Sequence, residues 1–424
     1  MITFIIKGIF RDKHRSLFPV IIVAIGVMLT VFLHCYITGF MGNMVDTNAR
    51  FSTGHVKIMS RAYAENADQI PIDLALIGVD ELISNLKIEF PDMIWVKRIR
   101  FGGLLDVPDE KSETKAQGAA MGLAVDLLSE KSTEIERLNI AKALIQGSLP
   151  KKRGEILISD ELFSKLDLKI GDSVTLLSST MYGSMTLQNF VVSGTIVFGV
   201  AAMDRGAMIV DITDAQAALD MTDAAGEILG YFANDIYDDE KASKLAQIFN
   251  KKFSDEHNRF SPVMQKLRDQ NELASMLDYV SVMIGIFISV FVLVMSMVLW
   301  NAGLIGGLRR YGEIGVRLAI GEDKGHLYRL MIVESIFVGL IGSVFGTIIG
   351  LGFSYILQTK GLDVSEYMKD ATLMMPNVLR ANITTPAYFI GFIPGLIATV
   401  LGTALSGIGI YKRQTAQLFK ELEV

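Results

Sequence analysis

Residues 309–334 read RRYGEIGVRLAIGEDKGHLYRLMIVE, a charged segment caught between two long apolar runs. A connection between two such runs needs only a turn, yet this one spaces Ile314, Leu318 and Leu327 helically among Arg310, Glu313, Arg317 and Lys324. An amphipathic pattern of that kind exposes one apolar face and suits docking on another protein. Gly315, Gly321 and Gly325 punctuate it. The flanking runs decide the fold, because they are too long and too free of charge for a soluble helix.

Working outward, hydrophobic residues make up 50% of the chain and the mean hydropathy is positive. Four spans are predicted, at 17–40, 277–307, 330–357 and 386–410, each above the roughly 20 residues that a bilayer core requires. The first is too long for the apolar region of a secretion signal and no A-x-A-like cleavage site follows, so it is expected to be an uncleaved anchor. Basic residues set the orientation. Lys7, Arg11, Lys13 and Arg15 precede span one, Arg309, Arg310, Arg317, Lys324 and Arg329 lie between spans two and three, and Lys412, Arg413 and Lys420 close the chain. Basic loops stay inside, which predicts a multi-pass protein of a bacterial inner membrane with both termini cytoplasmic. The expected order is a cytoplasmic amphipathic helix at 1–16, a large extracytoplasmic domain at 41–276, a cytoplasmic coupling helix and loop at 308–329, an outer loop at 358–385 and a cytoplasmic tail at 411–424.

The net charge is −10 within 41–276 and +4 in the remainder. An acidic outer domain excludes nucleic acid as a partner. Short β-rich runs alternate there with helix-like stretches, which predicts an α+β domain. The polar stretch 108–118 reads as a loop marking a seam between two subdomains. Segment 178–189, SSTMYGSMTLQN, reads as a hairpin tip, and Met181, Tyr182 and Met185 there either fold back on the domain or form an adaptable contact surface.

Residues for chemistry are missing. No G-x-x-x-x-G-K-[ST] phosphate loop and no G-x-S-x-G elbow occur, and the five histidines lack metal-ligand spacing, so no catalytic or metal residue is assigned. Cys35 reads as a buried apolar side chain. Glu334, about one turn inside span three, is an intramembrane carboxylate that either pairs with Arg317 or Arg329 or reaches the interface. Gly339, Gly342, Gly346 and Gly350 fall on one helical face and predict a packing seam, within the subunit or between two subunits. Phe32, Tyr36, Met283 and Phe287 occupy the outer halves of spans one and two, where they could line a cavity accepting an apolar cargo.

Several stretches together resemble the FtsX-like, MacB-type (type VII) ABC permeases, most closely in character the lipoprotein-releasing ones. They are KGIFRDKHRSL from Lys7, STGHVKI from Ser52, Gly147, GEILIS from Gly154, LKIGDSV from Leu168 and FVVSGTI from Phe190, followed by EIG and RLAIG at 313–321, Glu334 and the glycine ladder. The resemblance implies four transmembrane helices with a MacB-type periplasmic core, and a permease that pairs with itself or with a homologous second permease. It also implies two copies of a separate ATPase, which would carry the ATP and Mg while this chain binds no cofactor. ATPase coupling would then fall on Arg310, Glu313, Ile314, Gly315, Arg317, Leu318 and Gly321. Such permeases act by mechanotransmission, moving the outer domain to extract a lipoprotein or other amphipathic cargo from membrane lipid. The hairpin at 178–189 lies where lipoprotein-releasing permeases recruit a periplasmic carrier. Export of hydrophobic drugs or peptides, or FtsX-like signalling to a wall partner, is the alternative the same resemblance leaves open.

Overall fold

A computed structural model describes residues 13–109, 113–270, 273–309, 316–318, 320–364 and 378–412. Among them, the helices of eleven residues or more are α1 (Lys13–Asn48), α2 (Val79–Glu89), α3 (Asp239–Phe253), α4 (Leu273–Arg309), α5 (Lys324–Lys360) and α6 (Phe392–Lys412). The chain forms two compact units, one of Met1–Gly42, Leu277–Leu362 and Leu379–Val424, the other of Asn43–Met276 and Asp363–Val378.

The first unit is helical. Among the described residues, four segments lying mainly in this unit are long and apolar enough to cross a membrane: Leu17–Thr53, Leu273–Ala302, Lys324–Lys360 and Thr385–Ile408. β-branched residues are frequent in them, and they are helical because a backbone in hydrocarbon must satisfy its own hydrogen bonds. The last span differs from expectation at its start. A 3-10 turn, Thr385–Tyr388, precedes α6, because Pro386 has no amide to donate and opens a turn in place of continuing a helix. The basic helix expected at the N-terminus falls mostly on positions 1–12, which lie outside the described residues.

The second unit is α/β. Its main sheet comprises β1 (Val56–Ser60), β2 (Met93–Pro108), β3 (Thr114–Val125), β4 (Leu144–Gly147), β5 (Glu155–Ser159), β6 (Ser173–Ser179), β7 (Met185–Ile196), β8 (Ala207–Asp211), β9 (Glu227–Phe232) and β10 (Pro262–Lys266). The order is β10-β1-β9-β2-β3-β8-β5-β7-β4, and β6 pairs with both β2 and β7. The strands β2, β3, β8, β5, β7 and β6 therefore close into a ring, and closure removes exposed strand edges. Leu105, Val107, Ile156, Ile158, Val174, Leu176, Phe190 and Val192 belong to the core of this unit.

The sheet corrects one expectation. Residues 108–118 are no seam between subdomains: Pro108 ends β2, Thr114 begins β3, and the two strands pair along their length as a hairpin. The Asp109 amide donates to the Glu113 carbonyl at 2.7 Å and the Glu113 amide to Asp109 Oδ1 at 2.8 Å, closing the connection locally. A single ten-stranded sheet runs through the unit.

Candidate functional site

The segment between α4 and α5 is built by local chemistry. Gly321 sits at φ +97, a left-handed conformation that a side chain disfavours. Its amide donates to the Leu318 carbonyl at 3.1 Å, and the Glu322 amide donates to the Arg317 carbonyl at 3.0 Å. This pair of bonds is the Schellman closure that stops a helix. Two residues on, the Asp323 carboxylate accepts from the Gly325 amide and caps the start of α5. The RLAIGED sequence is thus a stop followed by a start.

That geometry leaves Val316 and Ile320 exposed, Ile320 by 81%, and joined by the bond from the Ile320 amide to the Val316 carbonyl. Two exposed aliphatic side chains on a turn that also carries charge form a surface that another protein could cover. Arg317 and Leu318 are half-buried beside them. Arg310, Glu313, Ile314 and Gly315 lie outside the described residues. Val316 and Ile320 were not among the expected coupling residues; their i, i+4 spacing was the available signal.

Glu334 lies in α5 and is half-buried. Beyond it α5 turns small residues inward: Ser335, Gly339, Gly342, Ser343, Gly346, Thr347, Gly350 and Ser354 are buried. Large side chains on the same helix, including Leu340, Phe345, Ile348 and Phe353, face outward. The seam meets two helices of the same chain. A Cβ on Gly346 would stand 2.5 Å from the Ala24 carbonyl and 2.7 Å from Val27 Cβ; one on Gly350 would stand 2.9 Å from the Met28 carbonyl. Gly342 is likewise closed off by Val23 of α1, whereas Gly339 faces Thr399 and Gly395 of α6. Backbones can approach this closely only where side chains are absent.

Phe32 and Tyr36 on α1 are half-buried, while Met283 and Phe287 on α4 are exposed. The structure brings α1 and α4 together elsewhere, where Gly26 abuts the Met295 side chain.

The hairpin of β6 and β7 divides the three residues grouped there by sequence. Met181 is buried at 7% exposure and its amide donates to the Leu219 carbonyl at 2.8 Å, so it belongs to the core and is removed from the contact surface. Tyr182 and Met185 are 72% and 80% exposed. The strand register extends them. Leu104 of β2 pairs with both Ala119 of β3 and Leu177 of β6, and Leu177 pairs with Leu187 of β7. Side chains alternate across a strand, so these four share one face. Next to this row runs a polar one, in which Gln117 donates to Asp106 at 2.8 Å and Thr175 donates to Asn189 at 2.9 Å. Leu187, 65% exposed, was missed by sequence reasoning, although the alternation Met185, Leu187, Asn189 signalled it.

Comparison with known proteins adds to this geometry. Residues 285–415 match the FtsX-like permease C-terminal domain, a stretch that includes most of α4, all of α5 and α6, and the Gly321 turn. The chain therefore carries an FtsX-like permease domain. It is 27% identical over 227 residues to the lipoprotein-releasing system transmembrane protein LolC of Xylella fastidiosa, covering 52% of this chain and 53% of LolC. It is 23% identical over 296 residues to HrtB of Staphylococcus haemolyticus, a permease protein named for a hemin transport system, covering 69% of this chain and 72% of HrtB. The chain spans about half the length of the LolC it matches. The periplasmic region of MacB from Actinobacillus actinomycetemcomitans aligns over 54% of this chain and 96% of its own length, at 11% identity and a TM-score of 0.36, too low to carry an argument.

Proposed function

We propose that the chain is the permease subunit of an ABC transporter in a bacterial inner membrane, with both termini cytoplasmic and the α/β unit outside. In this reading a separate ATPase, present in two copies and holding ATP and Mg, docks on the turn at 316–321. Hydrolysis is passed mechanically to the outer unit, which extracts lipoproteins from the outer face of the membrane. The observation that carries the reading is the coincidence of the FtsX-like domain match with the capped turn that exposes Val316 and Ile320. LolC similarity supports lipoprotein as the cargo. The apolar row reaching Leu187, with Tyr182 and Met185 beyond it, supplies a surface for a soluble carrier. A second permease, identical or homologous, would complete the assembly.

A second reading has its own support. HrtB is matched over more of its length than LolC is, which favours an apolar small molecule such as a porphyrin as an alternative cargo.

The test of coupling is direct. Val316→Asp and Ile320→Asp should each reduce association with the co-purified ATPase by about thirtyfold, the loss expected for a central apolar anchor. Insertion should survive, since the spans fix it. Unchanged ATPase binding and stimulation in both variants would remove the turn from the interface.

A further inference from the structure

Immediately after α1 the chain makes a π-helical turn, Ala49–Thr53, with Ala49, Phe51, Ser52 and Thr53 buried. The last carbonyls of a helix lack partners within it, and a cluster of charged side chains from the sheet supplies them. Arg98 Nη1 donates to the Arg50 carbonyl at 2.6 Å, and the Tyr231 hydroxyl donates to the Ala49 carbonyl at 3.0 Å. Ala49 also accepts from the Gly54 amide at 2.9 Å. Arg100 Nη1 reaches Ser52 Oγ at 3.3 Å.

The cluster is deep. Arg98 and Glu134 are each 1% exposed and form a bidentate pair, Nε to Oε2 at 2.7 Å and Nη2 to Oε1 at 3.2 Å. Arg98 Nη2 also donates to the Tyr231 hydroxyl at 3.2 Å. Arg137 lies 3.7 Å over the Tyr231 ring and pairs with Asp235 at 2.6 Å. On the neighbouring strands Glu227 accepts from Lys57 at 3.1 Å and from the Tyr63 hydroxyl at 3.4 Å, and lies 3.5 Å from Arg100. Burial alone would raise the Glu227 carboxyl, but Lys57 and Arg100 outweigh it and hold the group below the usual range. Four cations thus face three carboxylates, and the excess positive charge meets the carbonyl end of a helix, which carries partial negative charge.

An apolar pair of the same volume in place of Arg98 and Glu134 would lose little of the ion pair itself, because desolvation consumes most of what a buried ion pair returns; what it would lose is the donor to the Arg50 carbonyl. Stability is therefore a poor reason for the cluster, and its main-chain targets are a better one: they are the residues through which the chain leaves α1. We propose that Arg98, Glu134 and Tyr231 are positioning residues for transport, a clamp that fixes the end of α1 to strands β2 and β9 so that a displacement of the helix is delivered to the sheet. The clamp rests on the mechanical reading of function.

The test uses the full chain with its co-purified ATPase in nanodiscs. Arg98→Met combined with Glu134→Leu removes both charges together and keeps the space filled. Hydrogen exchange is measured without nucleotide and with ATP and vanadate. In the wild type, nucleotide should change exchange in β2 and β9. In the double variant that change should vanish while ATP hydrolysis stays within about twofold of the wild type, the spans and ATPase contact being untouched. Tyr231→Phe, which removes the bond to the Ala49 carbonyl and the bond accepted from Arg98, should speed Gly54 amide exchange at least about fivefold, the equivalent of one hydrogen bond lost at the turn itself, and should weaken the nucleotide response. It decides the matter alone if the double variant does not fold. A wild-type response in the variants overturns the clamp. A wild type that hydrolyses ATP but shows no response in β2 or β9 overturns the mechanical reading and the clamp with it, and is told apart because the wild type itself fails.

Discussion

The helical unit and the α/β unit sort their residues in opposite ways. In α5 most of the buried residues are small and most of the large apolar ones face out. In the α/β unit large apolar residues face in, and so does a knot of charge centred on Arg98 and Glu134. The hydrophobic effect gives the sorting in water, whereas in lipid it draws no distinction between neighbouring helices and tails, and close steric fit decides what packs. A buried charge stands out against the first rule and has to be explained by what it holds.

The largest effect that would break this comparison is at the knot. Arg98→Ala leaves Glu134 buried and uncompensated, and should cost about 3–5 kcal/mol, whereas Arg98→Met with Glu134→Leu should cost only about 1–2 kcal/mol, for the Arg50 carbonyl left without its donor. Thermal unfolding of the two proteins side by side checks this; equal losses would mean that the pair is an ordinary source of stability.

A loss of similar size should appear on acidification. His55 is buried against Tyr231, Phe232 and Tyr237, and its Nδ1 accepts the Phe232 amide at 3.0 Å. Burial lowers its pKa to about 4, Asp235 opposing and Arg137 assisting. The unfolded chain takes up a proton near the ordinary value of 6.5 while the folded one does not until about 4. Stability should therefore fall as pH drops from about 6.5 to about 4, by about 3 kcal/mol, and His55→Gln should flatten that part of the profile.

The seam comes next. Gly346→Val puts methyl groups where the Ala24 carbonyl and Val27 already stand, and should cost about 1–3 kcal/mol of stability in detergent. An unperturbed melting temperature would show that α1 and α5 are not held as tightly as the geometry requires. The smallest effect belongs to the apolar row outside the sheet. Met185→Ser with Leu187→Ser should change stability by less than about 0.5 kcal/mol, yet should abolish transfer of a lipoprotein to a soluble carrier. Transfer at the wild-type rate would show the row to be an idle surface.

These regions are unequally legible in the sequence. The spans and the glycine seam can be read because length, lack of charge and i, i+4 spacing are local properties. The stop at Gly321 and the start at Asp323 break the single helical pattern that Ile314, Leu318 and Leu327 suggest in sequence. Arg98 cannot be read in this way. It sits beside Lys97 in MIWVKRIRF, where alternation shows that the two point to opposite faces but not which face is buried, and Glu134 lies 36 residues away in a stretch that reads as a solvated helix. The π turn that these residues grip has no sequence signature. Sequence groups Met181 with Tyr182 because turn composition marks the hairpin without saying which of its side chains the neighbouring Leu219 segment receives.

The proposed function meets its most direct test in proteoliposomes that hold the chain with its ATPase and a triacylated lipoprotein in the same bilayer. Lipoprotein release predicts that ATP, and not a non-hydrolysable analogue, moves the lipoprotein to a soluble carrier on the side of the α/β unit, and that Ile320→Asp stops it. ATP hydrolysis stimulated by the chain with the lipoprotein left in the bilayer would contradict lipoprotein release, and hemin leaving the same vesicles in its place would assign the chain to the export of apolar small molecules.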